Sequence, residues 1–127
     1  MFPAHVRGPE GAVFWILAWF DRLGGTYAPD DPVRVFQDAT GAIVRIRVEG
    51  VVTFDDGARL EVAVELDRQL GCRRAFFERF DPTGARIWGW HHHPELRGAD
   101  HRHDAPGFHA EPADPPMFEL VEELLHP

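Results

Sequence analysis

Residues 41–66 read "GAIVRIRVEGVVTFDDGARLEVAVEL", and this stretch decides the fold class. In "AIVRIRVEG" and again in "ARLEVAVEL" apolar residues alternate with charged ones. Such alternation is typical of β-strands that have one buried face and one exposed face. Between the two segments, "DDG" can form a tight turn because Gly57 tolerates a positive φ angle. The stretch therefore predicts an antiparallel hairpin with two different faces.

Turn-forming residues extend this hairpin into a larger sheet. "PVRVFQ" at 32–37 is a further strand that "DATG" joins to the first half of the hairpin. "ERFDPTGARIW" at 78–88 indicates another hairpin, with its turn at 81–84. Trp88 and Trp90 are two residues apart and so share one face, which we assign to the core rather than to base stacking. The prediction is an antiparallel β-meander of about five strands.

Helices are expected at both ends of the chain. "GAVFWILAWF" lies in a helix at about 10–24 that ends at "GG", and "PPMFELVEELL" forms a short C-terminal helix. Residues 92–116 show no periodicity and predict an irregular His-rich loop. The fold class is thus α+β, in a single domain of residues 1–127 with flexible ends at 1–9 and 126–127.

Composition limits the possible partners and locations. The net charge of −8 argues against broad, non-specific nucleic-acid binding, although residues 67–110 carry seven Arg and six of the eight His. A single cysteine, Cys72, excludes an internal disulfide framework. The longest apolar run has ten residues, too few to cross a membrane. We expect a cytoplasmic protein that does not associate with membranes.

The most informative segment is "HHHPELRGADHRH" at 91–103, which holds five of the eight histidines. In an extended segment His101 and His103 project to one side and Arg102 to the other. Two neighbouring imidazoles can act as acid and base in RNA cleavage, since the pKa of histidine lies near neutrality. They can also bind a divalent metal, with Asp100, Asp104 or another histidine such as His93 completing the sphere. A solvated polar loop is the third alternative.

The order of these features resembles the TumE-type toxin family of prokaryotic toxin–antitoxin systems. The resemblance follows the order of elements over about 40–125, and its motifs are "HHPE" at 92–95 and "GADHRH" at 98–103. It implies a cytoplasmic toxin, a metal-independent endoribonuclease that acts on RNA and is silenced by a cognate antitoxin protein. The members of that family carry an Asp-Asn pair at the end of the strand before the loop, where this chain has "IWGW".

The resemblance also implies roles for individual residues. His101 and His103 would be the acid and the base, Arg102 would contact phosphate, and Asp100 would orient a histidine. His92 and His93 would be further site residues. Two alternatives stay open: a module that binds zinc or another divalent metal through His101, His103 and His93, and a non-catalytic interaction domain. The oligomeric state is also open, with a homodimer as one alternative.

Overall fold

The computed structural model describes residues 2–92, 101–104, 107–110 and 117–125, and beyond residue 92 it describes side chains only within the last helix. Within this part the chain forms one antiparallel sheet and two helices. The elements are α1 (Gly8–Arg22), β1 (Thr26–Ala28), β2 (Val33–Gln37), β3 (Ile43–Thr53), β4 (Arg59–Asp67), β5 (Cys72–Phe80), β6 (Arg86–His92), β7 (His101–Asp104), β8 (Gly107–Ala110) and α2 (Met117–Leu125).

The sheet is a meander from β3 onward. Its strand order in the described segments is β1-β3-β4-β5-β6-β7-β8, and β2 also pairs with β3. The predicted hairpin is β3–β4, with Val48 opposite Val64 and Gly57 at φ 90° in the turn. The α+β class is confirmed, and the five predicted strands correspond to β2–β6. The described part of the sheet is larger than expected because β1, β7 and β8 also join it.

Helix α1 covers one face of this sheet, and the two together form the hydrophobic core. Its fully buried Ile16, Trp19 and Phe20 belong to the same cluster as the apolar residues of β3, β4 and β5. Trp88 and Trp90 are also buried there, which confirms their assignment to the core. Burial of such apolar area is the main source of stability in a domain of this size.

Helix α2 docks on α1 through an aromatic cluster. The Trp19 indole N–H donates a 3.0 Å hydrogen bond to the backbone oxygen of Phe118, whose ring lies 5.0 Å from the Trp19 ring. Phe2 packs on Phe118 and, edge to face, on Trp15, so this part of the expected flexible end is in contact with the core. Within the described chain neither helix has the length and apolarity that a membrane span needs.

The prediction of an irregular loop at 92–116 is wrong for residues 101–104 and 107–110, which form β7 and β8. β7 pairs with β6 and β8 pairs with β7, both antiparallel. The physical reason is that β6 would otherwise leave its backbone donors and acceptors unpaired along one edge. A four-residue strand that pairs with such an edge is too short to show a clear alternation in its own sequence.

Two turns of the sheet share the pattern D-x-T-G-A, at 38–42 and 81–85. In the second, Asp81 Oδ1 accepts hydrogen bonds from the Thr83 hydroxyl at 2.6 Å and from the backbone N–H groups of Thr83 and Ala85. These bonds, that of the hydroxyl above all, lower the pKa of Asp81 below its ordinary value. Side-chain acceptors of this kind stabilise turns because they replace missing backbone partners.

Candidate functional site

The sheet face opposite α1 carries the candidate site, and we call it the open face. It consists of the alternate strand positions whose neighbours point into the core. Their register across β2–β6 is given by the strand pairings. The open-face residues used below are Arg34, Phe36, Arg45, Arg47, Glu49, Val51, Arg59, Glu61, Ala63, Glu65, Arg74, Phe76, Glu78, Gly89 and His91.

The backbone register brings three histidine positions onto this face. His91 lies opposite Phe76 in β5 and opposite His101 in β7. Gly89, two residues before His91, lies opposite His103. Residues directly opposite one another in an antiparallel pair belong to the same face, and so do residues two apart in one strand. The positions of His101 and His103 are therefore on the open face, next to that of His91.

Arg102 has a different position. It lies opposite Trp90, and Trp90 is fully buried on the core face of β6. The strand thus places Arg102 on the face opposite to that of His101 and His103, as expected for an extended segment.

A carboxylate–imidazole pair occupies the centre of the open face. His91 Nε2 lies 2.8 Å from Glu78 Oε1, and His91 is only 9% exposed. The His91 ring packs at 4.9 Å on the ring of Phe76. Because an ionised carboxylate can only accept hydrogen bonds, His91 Nε2 is the donor of this bond. Burial and the bond together fix the orientation of the imidazole.

Gly89 keeps space open beside this pair. A Cβ atom at residue 89 would lie 3.3 Å from His91 Nε2 and 3.6 Å from the Cγ and Cδ atoms of Glu78. Arg86 approaches from the same strand, with Nη1 3.8 Å from Glu78 Oε1. The pair is thus bordered by a cation on one side and by a position without a side chain on the other.

Consecutive histidines diverge, as strand geometry requires. His92 lies opposite Ala75, which is buried on the core face, so His92 is not on the face of His91. His93 and Asp100 lie outside the described residues. The site residues predicted from the sequence include His92 but not His91 or Glu78. The assignment of Trp88 and Trp90 to the core could have identified His91, because it puts residues 89 and 91 on the opposite face.

A groove of about 460 Å³ adjoins the carboxylate–imidazole pair. Ala63, Val51 and Pro29 contribute its small and apolar surfaces, and Phe76 borders it. Glu49, Glu61 and Glu78 supply carboxylates along its walls. Its volume lies within the range of about 300–1,000 Å³ that is usual for small-molecule sites.

Arginines and phenylalanines interleave on the rest of the open face. One transverse row runs Arg34, Arg47, Glu65, Arg74 across β2–β5. The Arg45 guanidinium lies 4.1 Å from the centre of the Phe36 ring, and the Arg59 guanidinium lies 4.2 Å from the centre of the Phe80 ring. Salt bridges to neighbouring glutamates hold several of these arginines in place, among them Arg45–Glu65 at 3.3 Å. Arginine beside aromatic rings suits the binding of phosphates and bases.

Among the residues whose side chains are described, no three His, Cys, Asp or Glu are grouped so as to hold a metal ion. Comparison with protein-family models, with curated proteins and with solved structures finds no significant match. A function for the chain therefore has to be argued from the open face itself.

Proposed function

We propose that the chain is a metal-independent endoribonuclease, the toxin component of a toxin–antitoxin pair, whose active site is the open face. One observation carries this proposal. The Glu78–His91 pair, 2.8 Å apart, lies on the face to which the backbone register assigns His101 and His103. Histidine pairs with an orienting carboxylate are suited to acid–base catalysis because imidazole exchanges protons near neutral pH.

The reaction needs only proton transfers and a phosphorus centre. One histidine takes the proton of a ribose 2′-hydroxyl, and the 2′-oxygen then attacks the adjacent phosphorus. The bond from phosphorus to the 5′-oxygen breaks, and a second histidine, in its protonated form, donates a proton to that oxygen. The products are a 2′,3′-cyclic phosphate and a 5′-hydroxyl. His101 and His103 remain the proposed acid and base, with His91 beside them and Glu78 holding its ring.

Open-face arginines take the role of contacting phosphate in this proposal. The resemblance implies this role for Arg102. The register puts the position of Arg102 opposite the buried Trp90, so we propose arginines of the open face for the phosphate contact instead. Arg47 and Arg74 lie in the row next to that of Phe76 and His91. Guanidinium groups beside a reacting phosphate stabilise the negative charge that develops in the transition state.

The second candidate function is divalent-metal binding, zinc included, at the same place. It is favoured by the chemistry of the donors, since a carboxylate and several imidazoles are usual zinc ligands. The two functions differ in their response to chelation. Protein with a metal site would hold about one ion per chain when it is purified without a nickel column, and EDTA would remove that ion. A metal-independent nuclease would keep its activity in EDTA.

The decisive experiment measures RNA cleavage by the purified full-length protein in EDTA. We expect 2′,3′-cyclic phosphate ends, and no cleavage of the same RNA carrying 2′-O-methyl groups. His101→Ala and His103→Ala should each lower the rate on the order of 10²–10⁴-fold, and His91→Gln, which removes the neighbouring ring, about 10–100-fold. Glu78→Gln should lower the rate about 10–100-fold, as expected for loss of an orienting partner.

His5→Gln is the matched control. His5 is exposed and lies just before α1, the helix that covers the opposite face of the sheet. It should cleave like the wild type. Unfolding midpoints of all variants show whether they are folded. Intact RNA after incubation with folded wild-type protein, or equal rates for wild type and His91→Gln, would overturn the proposal.

The toxin role has its own test in cells. A toxin of this kind acts in the cytoplasm, degrades RNA there and is silenced by its cognate antitoxin protein. Induction of the wild type in a host without the antitoxin should stop growth and fragment RNA, and His101→Ala should do neither. Sedimentation of the purified chain determines whether a homodimer forms. Normal growth with an active nuclease in the cells would contradict the toxin role alone.

A further inference from the structure

We propose that the substrate is single-stranded RNA and that the groove seats a guanine base next to the cleaved bond. This inference rests on the proposed function, and it adds the substrate class and a specificity-determining residue. Three observations carry it: the hollow at Ala63, the carboxylates on the groove walls, and the closeness of both to the Glu78–His91 pair.

The hollow has the position that a base would need. Ala63 is exposed and lies in one transverse row with Glu49, Phe76 and His91. Its methyl group is much smaller than the side chains on both sides of it in this row, which creates the depression. Two strand spacings separate Ala63 from His91, or about 10 Å. A base over Ala63 would thus leave its own ribose and phosphate beside His91.

The form of the groove favours a single strand. A base enters it only when its edge and at least one of its faces are not engaged in a duplex. Phe76 borders the groove and offers apolar contact to a base ring. Paired bases inside an A-form helix could not reach the floor at Ala63, since the helix buries them in its stack.

The hydrogen-bonding groups of the groove favour guanine. Ionised carboxylates only accept hydrogen bonds, and the groove walls carry three of them. Guanine presents two adjacent donors on its Watson–Crick edge, the ring N–H and the exocyclic amino group. Adenine and cytosine each place an amino group beside an acceptor, and uracil places its single N–H between two carbonyl groups. An edge of adjacent donors matches a carboxylate best.

We assign the contact to Glu61. Its Oε2 atom accepts a 3.0 Å bond from Arg59 Nε, which holds the carboxylate in place. Glu78 is engaged with His91, and the side chain of Glu49 is 65% exposed and lies 3.8 Å from Arg47. The side chain of Glu61 is itself 45% exposed, but its bond to Arg59 is shorter than the contact of Glu49 with Arg47. A carboxylate that is held before the substrate arrives loses less conformational freedom on binding.

The experiment uses the full-length protein and short RNAs that differ at one base. An otherwise all-uridine strand carries guanosine, inosine, adenosine or cytidine at its centre, and each strand is used alone and annealed to its complement. We expect cleavage at guanosine in the single strand, and about a tenfold or greater loss with inosine, which lacks the exocyclic amino group. The annealed strands should be cut at least tenfold more slowly.

Two variants test the groove itself. Ala63→Leu fills the hollow at a position two strands away from His91, and it should lower cleavage at guanosine at least tenfold. Glu61→Gln should lower the guanosine-to-adenosine preference by a similar factor. Glu10→Gln is the matched control: it makes the same chemical change at an exposed glutamate of α1, which covers the opposite face of the sheet. Circular dichroism and urea unfolding check that each variant folds.

The possible outcomes separate the inference from the function on which it rests. Cleavage that ignores the central base, that is equal for guanosine and inosine, or that is as fast in duplexes would overturn the inference and leave the nuclease standing. Equal activity of Ala63→Leu and wild type would overturn it too. If the folded wild type cleaves none of the strands, the proposed function fails and the inference fails with it.

Discussion

Replacing Phe118 by alanine should be among the most costly single changes in this protein. The Phe118 side chain is fully buried, and its ring lies 5.0–5.8 Å from the rings of Phe2, Trp15, Trp19 and Phe77. Truncation of such a core phenylalanine costs about 3–5 kcal/mol of unfolding free energy. A domain of 127 residues has a total of only about 6–19 kcal/mol at 0.05–0.15 kcal/mol per residue.

Urea unfolding followed by tryptophan fluorescence measures this loss. With an m value of about 2 kcal/mol/M, the midpoint should fall by about 1.5–2.5 M. Hydrogen exchange should show a second effect, namely faster exchange in α2, because Phe118 is the residue that docks this helix on Trp19.

Phe14→Ala is the matched control for this change, since the Phe14 side chain is 73% exposed on α1. It should change stability by no more than about 0.5 kcal/mol. If Phe118→Ala costs less than 1 kcal/mol, or if both substitutions cost the same, the docking of α2 on the aromatic cluster is not what stabilises this end of the fold.

Three further predictions concern other parts of the chain. Gly25→Ala should lower the free energy of unfolding in urea by about 1–3 kcal/mol, because its Cβ atom would lie 2.6 Å from a backbone oxygen. Gly11→Ala is the contrasting change within α1 and should raise the free energy of unfolding by about 0.5–1 kcal/mol, since alanine suits a helix interior better than glycine. Asp81→Asn should destabilise the protein at neutral pH. Because the pKa of Asp81 is lowered in the folded state, its ionised carboxylate contributes stability at pH values above the unfolded-state pKa of about 3.9. This contribution disappears as the pH falls through the folded-state pKa. A wild-type advantage that persists in strong acid would contradict that assignment. Gly89→Ala should displace His91 by a few tenths of an ångström and slow RNA cleavage about three- to tenfold with an unchanged unfolding midpoint.

Much of the fold was predictable because its elements have strong local patterns. The β3–β4 hairpin alternates along nearly its full length, and α1 ends next to Gly24, whose φ angle of 82° suits a helix terminus. Strands β7 and β8 were missed for a non-local reason. Their pairing depends on the unpaired edge of β6, which no window of local sequence contains.

The candidate site could be predicted only in part, and the missing part again depends on register. The shared side of His101 and His103 follows from a spacing of two residues, and the backbone of β7 agrees with it. The pairing of Glu78 with His91 joins residues thirteen positions apart in the chain. Predicting this pair requires knowledge of which residues of β5 and β6 lie opposite one another. The turn at 81–84 does not reveal this pairing, because the register of the two strands shifts next to the turn, at Arg79–Phe80.

The net charge of the chain does not describe the open face. The chain carries −8, but over β2–β5 the open face holds the five arginines Arg34, Arg45, Arg47, Arg59 and Arg74. The same strands place five acidic residues on this face, namely Glu49, Glu61, Glu65, Asp67 and Glu78, so this part of the face is balanced and the acidic excess lies elsewhere. Within it four of the arginines lie in or next to the Arg34–Arg74 row, while Glu49, Glu61 and Glu78 line the groove. In the proposed complex the phosphate backbone would face those arginines, and the donor-rich base edge would face the carboxylates.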